Sequence, residues 1–494
     1  MQPAGNSWLR EKFEISPINE HHESFIGGRR QTIEDADGKI KDIFTKNYWP
    51  GESALSHIEF SLKYDNLNLD LLEQVFRKIP TTEIEAYISA KPTSKFRKKI
   101  GFFYEFMLPR TLNVKVGGNF ESLLAPKKYF TGTPLKSTKW RIKSNLLGSS
   151  GFCPIVRRTK SIDRKLKKDW PSKIQQIAED AEPALLARAV NYIYLKETKA
   201  SFDIENEKIS QSKEERFVKA LSQVGKEDMD SVLDEKRLTE IQNMIVDPRY
   251  ANKAFRDSQN YVGETLPNYS ERIHYVCPPP ILVKTLMAGL RTFIKRSEEL
   301  PPPLRAAVIS FGFVYTHPFD DGNGRLHRLL LHESLAYDGY VDKRLVLPFS
   351  AVMLKDMASY DRVLESYASA VMQRVKYDLD NKGKLTIKNE KEASGIWRYP
   401  DFTHHVEYVI DMIEATVLND LPNEIGLLQR WDIAREAASN VVDMPNGKLN
   451  LLMRLLYQNR GKLSVTKRKS EFPELTNKEI KAIEIEFKQA FNLK

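Results

Sequence analysis

The chain has 494 residues, with 76 Lys and Arg against 66 Asp and Glu, a net charge of +10 and 41% hydrophobic residues. That length leaves room for two to four domains, and the balance is that of a soluble globular chain rather than a disordered one. No apolar run reaches the length of a membrane span, and Met1 to Phe13 lacks the apolar core of a secretion signal. Cys153 and Cys277 lie far apart and offer neither a disulfide framework nor zinc spacing, so a cytoplasmic setting is expected.

In chain order, Met1 to Trp49 reads as strands and loops, with turns at Gly27-Gly28 and Asp37-Gly38. Ser56 to Lys63 and Leu69 to Lys78 read as helices, the second capped by Asn68. Ile100 to Leu108 carries Phe102, Phe103, Tyr104 and Phe106 and is expected as a buried helix; Tyr129 to Phe152 looks irregular. From Lys136 to Lys168 there are eleven Lys or Arg against Asp163 alone. Such a run is either a solvated basic face or a contact for nucleic acid or an acidic partner. The stretch before Pro171 forms an accessory region, residues 1–170.

Pro183 opens a long helix through Leu185, Ala189 and Ile193 that continues to Asn206. Ser212 to Glu215 reads as a capping box for the next helix. Leu238 to Val246 is apolar and ends before Pro248. Phe255 to Gly263, containing Asn260, Tyr261 and Val262, pairs with Arg272 to Val276 as a β-hairpin closed by Pro278 to Pro280. Helices follow at Leu282 to Arg296 and Leu304 to Tyr315.

Next comes His317-Pro-Phe-Asp-Asp-Gly-Asn-Gly-Arg-Leu-His-Arg328, and a helix from Leu326 to Leu335. Gly322 and Gly324 allow positive φ and close approach to an anion. The helix that follows aims its free N–H groups and dipole at the same spot. Arg325 and Arg328, three apart, share a face near that N-terminus and suit phosphate oxygens. Asp321 is placed to hold Mg²⁺, and His317 to take a proton from a hydroxyl. Downstream, Ala351 to Val375 reads as helix and Asp378 to Lys391 as a charged linker. Thr403 to Val417, Leu427 to Ala438, Leu449 to Tyr457 and Asn477 to Phe491 complete a helical C-terminal domain, with a capping box at Thr476 to Glu479. Its basic stretch Lys462 to Lys469 fits either a supporting domain or a helix-turn-helix DNA contact.

The string His317 to Arg328 resembles the Fic family signature H-x-F-x-[DE]-G-N-G-R-x-x-R at every specified position. Ser201, Glu205 and Asn206 resemble that family's inhibitory pattern [ST]-x-x-x-E-[GN], with Ser201 and Glu205 on one helix face; Thr81 to Glu85 is a near miss, because Ala86 follows. The resemblance implies a mainly α fold: a helical core (171–385) with an inhibitory helix (about 184–210) and a β-hairpin flap (about 255–277), a mixed N-terminal region and a helical C-terminal domain (386–494).

It further implies transfer of AMP from ATP to a Ser, Thr or Tyr hydroxyl of a protein docked on the flap, with self-modification included. His317 is then the base and Phe319 a buried anchor. Asp321 carries Mg²⁺, and Gly322, Asn323 and Gly324 cradle the α-phosphate. Arg325 and Arg328 hold the outer phosphates, and Tyr360 lies near the adenine. Glu205 is a brake through Arg328. Gly324 leaves the α-phosphate slot open, where a phosphate-transferring variant of the family has Lys. The alternatives are removal of AMP, transfer of another nucleotide or phosphate group, and a DNA-binding regulator with an inactive core.

Overall fold

The computed structural model describes residues 1–15, 21–35, 39–267, 269–342 and 345–493. The expected Asp37-Gly38 turn lies outside them. The fold is mainly α, with four small sheets among the described residues.

The N-terminal region builds a four-stranded sheet in the order Gln2–Ala4, His22–Gly27, Ile40–Thr45, Gln31–Glu34. Its central pair is parallel, with His22 opposite Ile40, and its outer pairs are antiparallel. A helix, Asn6–Lys12, interrupts what the sequence suggests is strand and loop. Four helices follow: Ala54–Tyr64, Leu69–Lys78, Thr81–Ser89 and Lys95–Met107. The expected cap at Asn68 is present: its side chain accepts the Leu71 N–H at 2.9 Å. These elements enclose a core of their own around Leu72, Phe76, Ile100, Phe103 and Trp140.

The larger core surrounds two helices, Pro302–Thr316 and Asn323–Tyr337 (the motif helix), which are buried on nearly every face. The first is apolar almost all round, and such a helix is stable only inside a stack of this kind. Around the pair lie Pro183–Ile204 (the brace helix), Pro280–Arg296, Phe349–Lys355 and Thr403–Ala415. Phe130, Phe152, Val156, Ile162 and Trp170 pack into this same core, so packing continues across position 170. Buried ion pairs join the two cores: Asp70 with Arg374 at 3.2 Å, Glu73 with Arg398, and Arg157 with Asp401 at 2.8 Å. Part of the basic run is also spoken for, since Lys165 pairs with Asp411 at 2.6 Å and Lys168 with Glu414.

Three local expectations are corrected. Residues expected as a linker after Asp378 form a hairpin, Tyr377–Leu379 against Leu385–Ile387, because Leu385 and Ile387 point into the large core. The helix after the brace helix is capped by Ser210 through the Lys213 N–H, two residues earlier than the expected Ser212 box. The stretch 351–375 is two helices, Phe349–Lys355 and Met357–Arg374, broken at Asp356, whose side chain caps the second. The capping box at Thr476 and Glu479 is present.

Candidate active site

The helix Pro302–Thr316 stops at His317, which turns left-handed with φ 50°. A non-glycine residue holds that conformation only when its surroundings enforce it. Arg256 does so. Its buried guanidinium donates to the carbonyls of His317 at 2.7 Å, Ser258 at 2.7 Å and Pro278 at 2.7 Å. Its own N–H donates to the Pro318 carbonyl at 2.8 Å. One cation thus ties the base of the flap to the start of the motif.

The His317 ring is half-buried. Nδ1 lies 3.1 Å from the Val314 carbonyl. An acceptor there fixes the tautomer with Nδ1 protonated, which leaves the lone pair on Nε2. Burial, then the charge of Arg256, lowers its pKa to about 4. The imidazole is therefore neutral at neutral pH, the state a general base requires.

The turn is held in place by contacts within the protein. Phe319 is wholly buried, edge-on to Phe255 at 5.5 Å and against Phe313 at 6.4 Å, as an anchor should be. Asn323 departs from expectation. Its amide clamps Phe319, accepting the Phe319 N–H at 3.1 Å and donating to the Phe319 carbonyl at 2.8 Å. A side chain so used, and 2% exposed, is committed to holding Phe319. Gly322 takes φ 86° at the helix start, where a Cβ would stand 2.8 Å from Val246. Gln242, fully buried, donates to the Asp321 carbonyl at 3.1 Å and holds the turn from below.

Arg325 and Arg328 are 2% and 1% exposed. Both are met by acids at the end of the brace helix. Arg328 donates to the Ser201 hydroxyl at 2.9 Å, the Ser201 carbonyl at 2.8 Å and Glu205 Oε1 at 2.8 Å. Burial opposes its charge, but the Glu205 carboxylate outweighs that and holds its pKa above the ordinary value. Arg325 pairs with Glu207 at 2.9 Å and with Asp321 at 2.9 Å. Glu207 was missed in the sequence; only its place two residues beyond Glu205, after left-handed Asn206 (φ 54°), hints at it. Glu205 also lies over Gly324, where a Cβ would meet its Oε1 at 2.1 Å. Among the described residues, Arg328 Nη1 and Arg325 Nε find no acceptor. A buried guanidinium with donors to spare is set up for a further anion.

The flap is narrower than expected: Tyr261–Thr265 pairs with Glu271–Val276, with a register shift at Val262/Gly263, while 255–260 is loop. Asn260 caps its start by accepting the Tyr261 N–H at 2.8 Å. Tyr360 is 4% exposed, its ring near His327 and Tyr408 and its hydroxyl coupled to Arg328. It backs the guanidinium from inside and offers no open face to a base, which departs from its expected place beside adenine. Asp321 stays 44% exposed, with Oδ1 held by the Gly322 N–H at 2.6 Å.

A neutral imidazole at the mouth of a glycine-opened helix start, with guanidiniums waiting beneath, is equipped to grip phosphates and deprotonate an acceptor. Residues 232–335 match the model of the Fic/DOC family, and the chain carries a Fic domain. Over 110 residues it is 34% identical to a protein adenylyltransferase Fic of Culex quinquefasciatus, covering 21% of this chain and 20% of that protein. Over 221 residues it is 23% identical to a probable protein adenylyltransferase of Aquifex aeolicus (strain VF5), covering 44% of this chain and 62% of the other. The chain thus spans about a fifth and about three fifths of these relatives. A solved Fic family protein from Desulfovibrio desulfuricans G20 aligns with TM-score 0.36 at 18% identity, over 69% of this chain and 86% of that one.

Proposed function

We propose that the protein transfers AMP from ATP to a hydroxyl side chain of a protein, and that Glu205 restrains the reaction. The observation that carries this is the neutral Nε2 of His317 beside a turn whose two arginines are buried and already hold anions. His317 takes the proton as the hydroxyl oxygen bonds to the α-phosphorus. The bond from that phosphorus to the bridging oxygen breaks, and pyrophosphate leaves. Arg325 and Arg328 stabilise the charge on the departing phosphates, so positioning and electrostatics do most of the work. The N–H groups of Asn323 and Gly324, rather than the Asn323 side-chain amide, meet the α-phosphate, since that of Gly322 is taken by Asp321.

Asp321 fits a magnesium ion: it is one half-exposed carboxylate whose Oδ1 takes the protein hydrogen bonds, and such an ion completes its shell with phosphates and water. Bound there, the ion would neutralise phosphate charge. The flap is a lone pair of strands among the described residues, so each strand has an unpaired edge for an extended target segment.

Glu205 and Glu207 occupy the guanidiniums that the outer phosphates need. ATP must displace them or bind with its α-phosphate out of line. The test is labelling with ATP radiolabelled at the α-phosphate. Glu205→Gly is expected to raise incorporation and His317→Ala to abolish it. Equal labelling in all three proteins would sink the proposal.

A further inference from the structure

Away from the active site, the N-terminal region encloses a cavity of about 210 Å³. Its floor and walls are Leu72, Phe96, Phe103, Leu123 and Leu124, and four lysines face it: Lys63, Lys95, Lys99 and Lys128. Lys95 and Lys99 share one helix face, and Lys63 comes from the helix alongside. The ammoniums of Lys63, Lys95 and Lys99 lie 5.0, 5.9 and 5.7 Å from the centre of the single Phe96 ring.

Such crowding of like charges is unfavourable unless anions offset it. The protein supplies few. Lys63 and Lys95 have Glu59 and Glu121 only at 3.6 Å each. Lys99 is 7% exposed, and its Nζ donates to the Leu123 carbonyl at 2.5 Å. An ammonium has three protons to place, so that one bond leaves it under-served. The one carboxylate lining the cavity, Asp65, already accepts the Asn6 N–H at 2.7 Å and the Ser24 hydroxyl at 2.5 Å. Burial pushes Asp65 up to about 7, so at neutral pH it carries only part of its charge, while burial and then Lys95 bring Lys99 down to about 8.

We infer that this cavity is a binding site for a small organic anion, its phosphate or carboxylate head held by Lys99 with Lys63 and Lys95, and its apolar body packed on Phe96 and Phe103. The size and the apolar walls suit a compact molecule rather than a polymer. The site stands on residues separate from those of the proposed AMP transfer.

The experiment is calorimetric titration of the full chain with inorganic phosphate and, separately, with benzoate, at matched chloride. Saturable binding of one or both is expected, and the two arms tell a phosphate head from a carboxylate head. Lys99→Met should remove that binding, and its melting temperature in the absence of anion should equal or exceed that of the wild type, since a crowded charge is gone. Lys63→Ala, at an exposed position, should weaken binding several-fold without risk to folding. Arg328→Ala, which alters the other phosphate site, should leave it unchanged. The assignment is overturned if neither probe saturates, or if Arg328→Ala abolishes binding while Lys99→Met and Lys63→Ala retain it.

Discussion

The proposed active site and the N-terminal cavity each hold buried cations, Arg325 and Arg328 in one and Lys99 in the other, yet they neutralise them differently. In the cleft, each buried guanidinium of the motif helix meets a carboxylate from the brace helix: Arg328 meets Glu205 and Arg325 meets Glu207. In the cavity, Lys99 has a single carbonyl, with Lys95 beside it and Glu121 a weaker offset. A buried charge must be paired or it is costly. A cation paired within its own chain is therefore held back until that partner leaves, whereas an unpaired one awaits a partner from outside. Arg256 shows a third case, a buried cation served by backbone carbonyls alone, which makes it a structural tie.

The largest effect should come from the residue that makes the cleft chemical at all. His317→Ala should lower AMP incorporation by about 10²–10⁴-fold or more, the usual worth of a general base; a drop smaller than that in single-turnover labelling would recast His317 as structural. Releasing the internal partner comes next. Glu205→Gly should raise incorporation by about 5–150-fold, the range of typical coupling energies between sites. Arg256→Gln separates the structural tie from the switch. It should lower stability in urea by about 2–3 kcal/mol, because buried carbonyls lose their donor, without raising labelling, whereas Glu205→Gly, which leaves the buried Arg328 without its carboxylate, should lower stability and raise labelling together.

The pH dependence sharpens the same contrast. With His317 lowered to about 4, its imidazole stays neutral down to that value. Labelling by Glu205→Gly should hold level from neutral pH to about 5 and fall at about 4 or below, since the carboxylate removed is one that raises the ring's pKa. An acid limb near the ordinary histidine value, about 6.5, would show that burial and Arg256 do not govern the ring. The smallest effect is reserved for Glu207→Gln. Its carboxylate is 30% exposed, so a rise of about two- to fivefold is expected, added to that of Glu205→Gly in the double variant.

Much of this was legible before any coordinates. The motif turn, its glycines and its arginines lie within twelve consecutive residues, and the Asn68 and Thr476 caps depend on neighbours three positions away. Ser201 and Glu205 share a helix face by spacing alone, and both do reach Arg328. Less legible were the residues whose roles depend on what lies opposite. Asn323 looked like a phosphate ligand and proves to be a clamp on Phe319; Tyr360 looked like an adenine contact and proves to be backing for Arg328. Arg256 and Gln242 carry no motif of their own, and 377–387 reads as linker until its two apolar side chains find the core.

The sequence by itself determined what local backbone chemistry controls: helix starts, the glycine-opened bend, and which charged groups flank it. Only the tertiary structure decided which charges are neutralised from within and which are left for a ligand. Pairing across 123 positions, as between Arg328 and Glu205, or the convergence of two helices on one phenylalanine ring, follows from how helices pack. No short window of residues contains that information, because the energy of a buried charge is set by its surroundings in space.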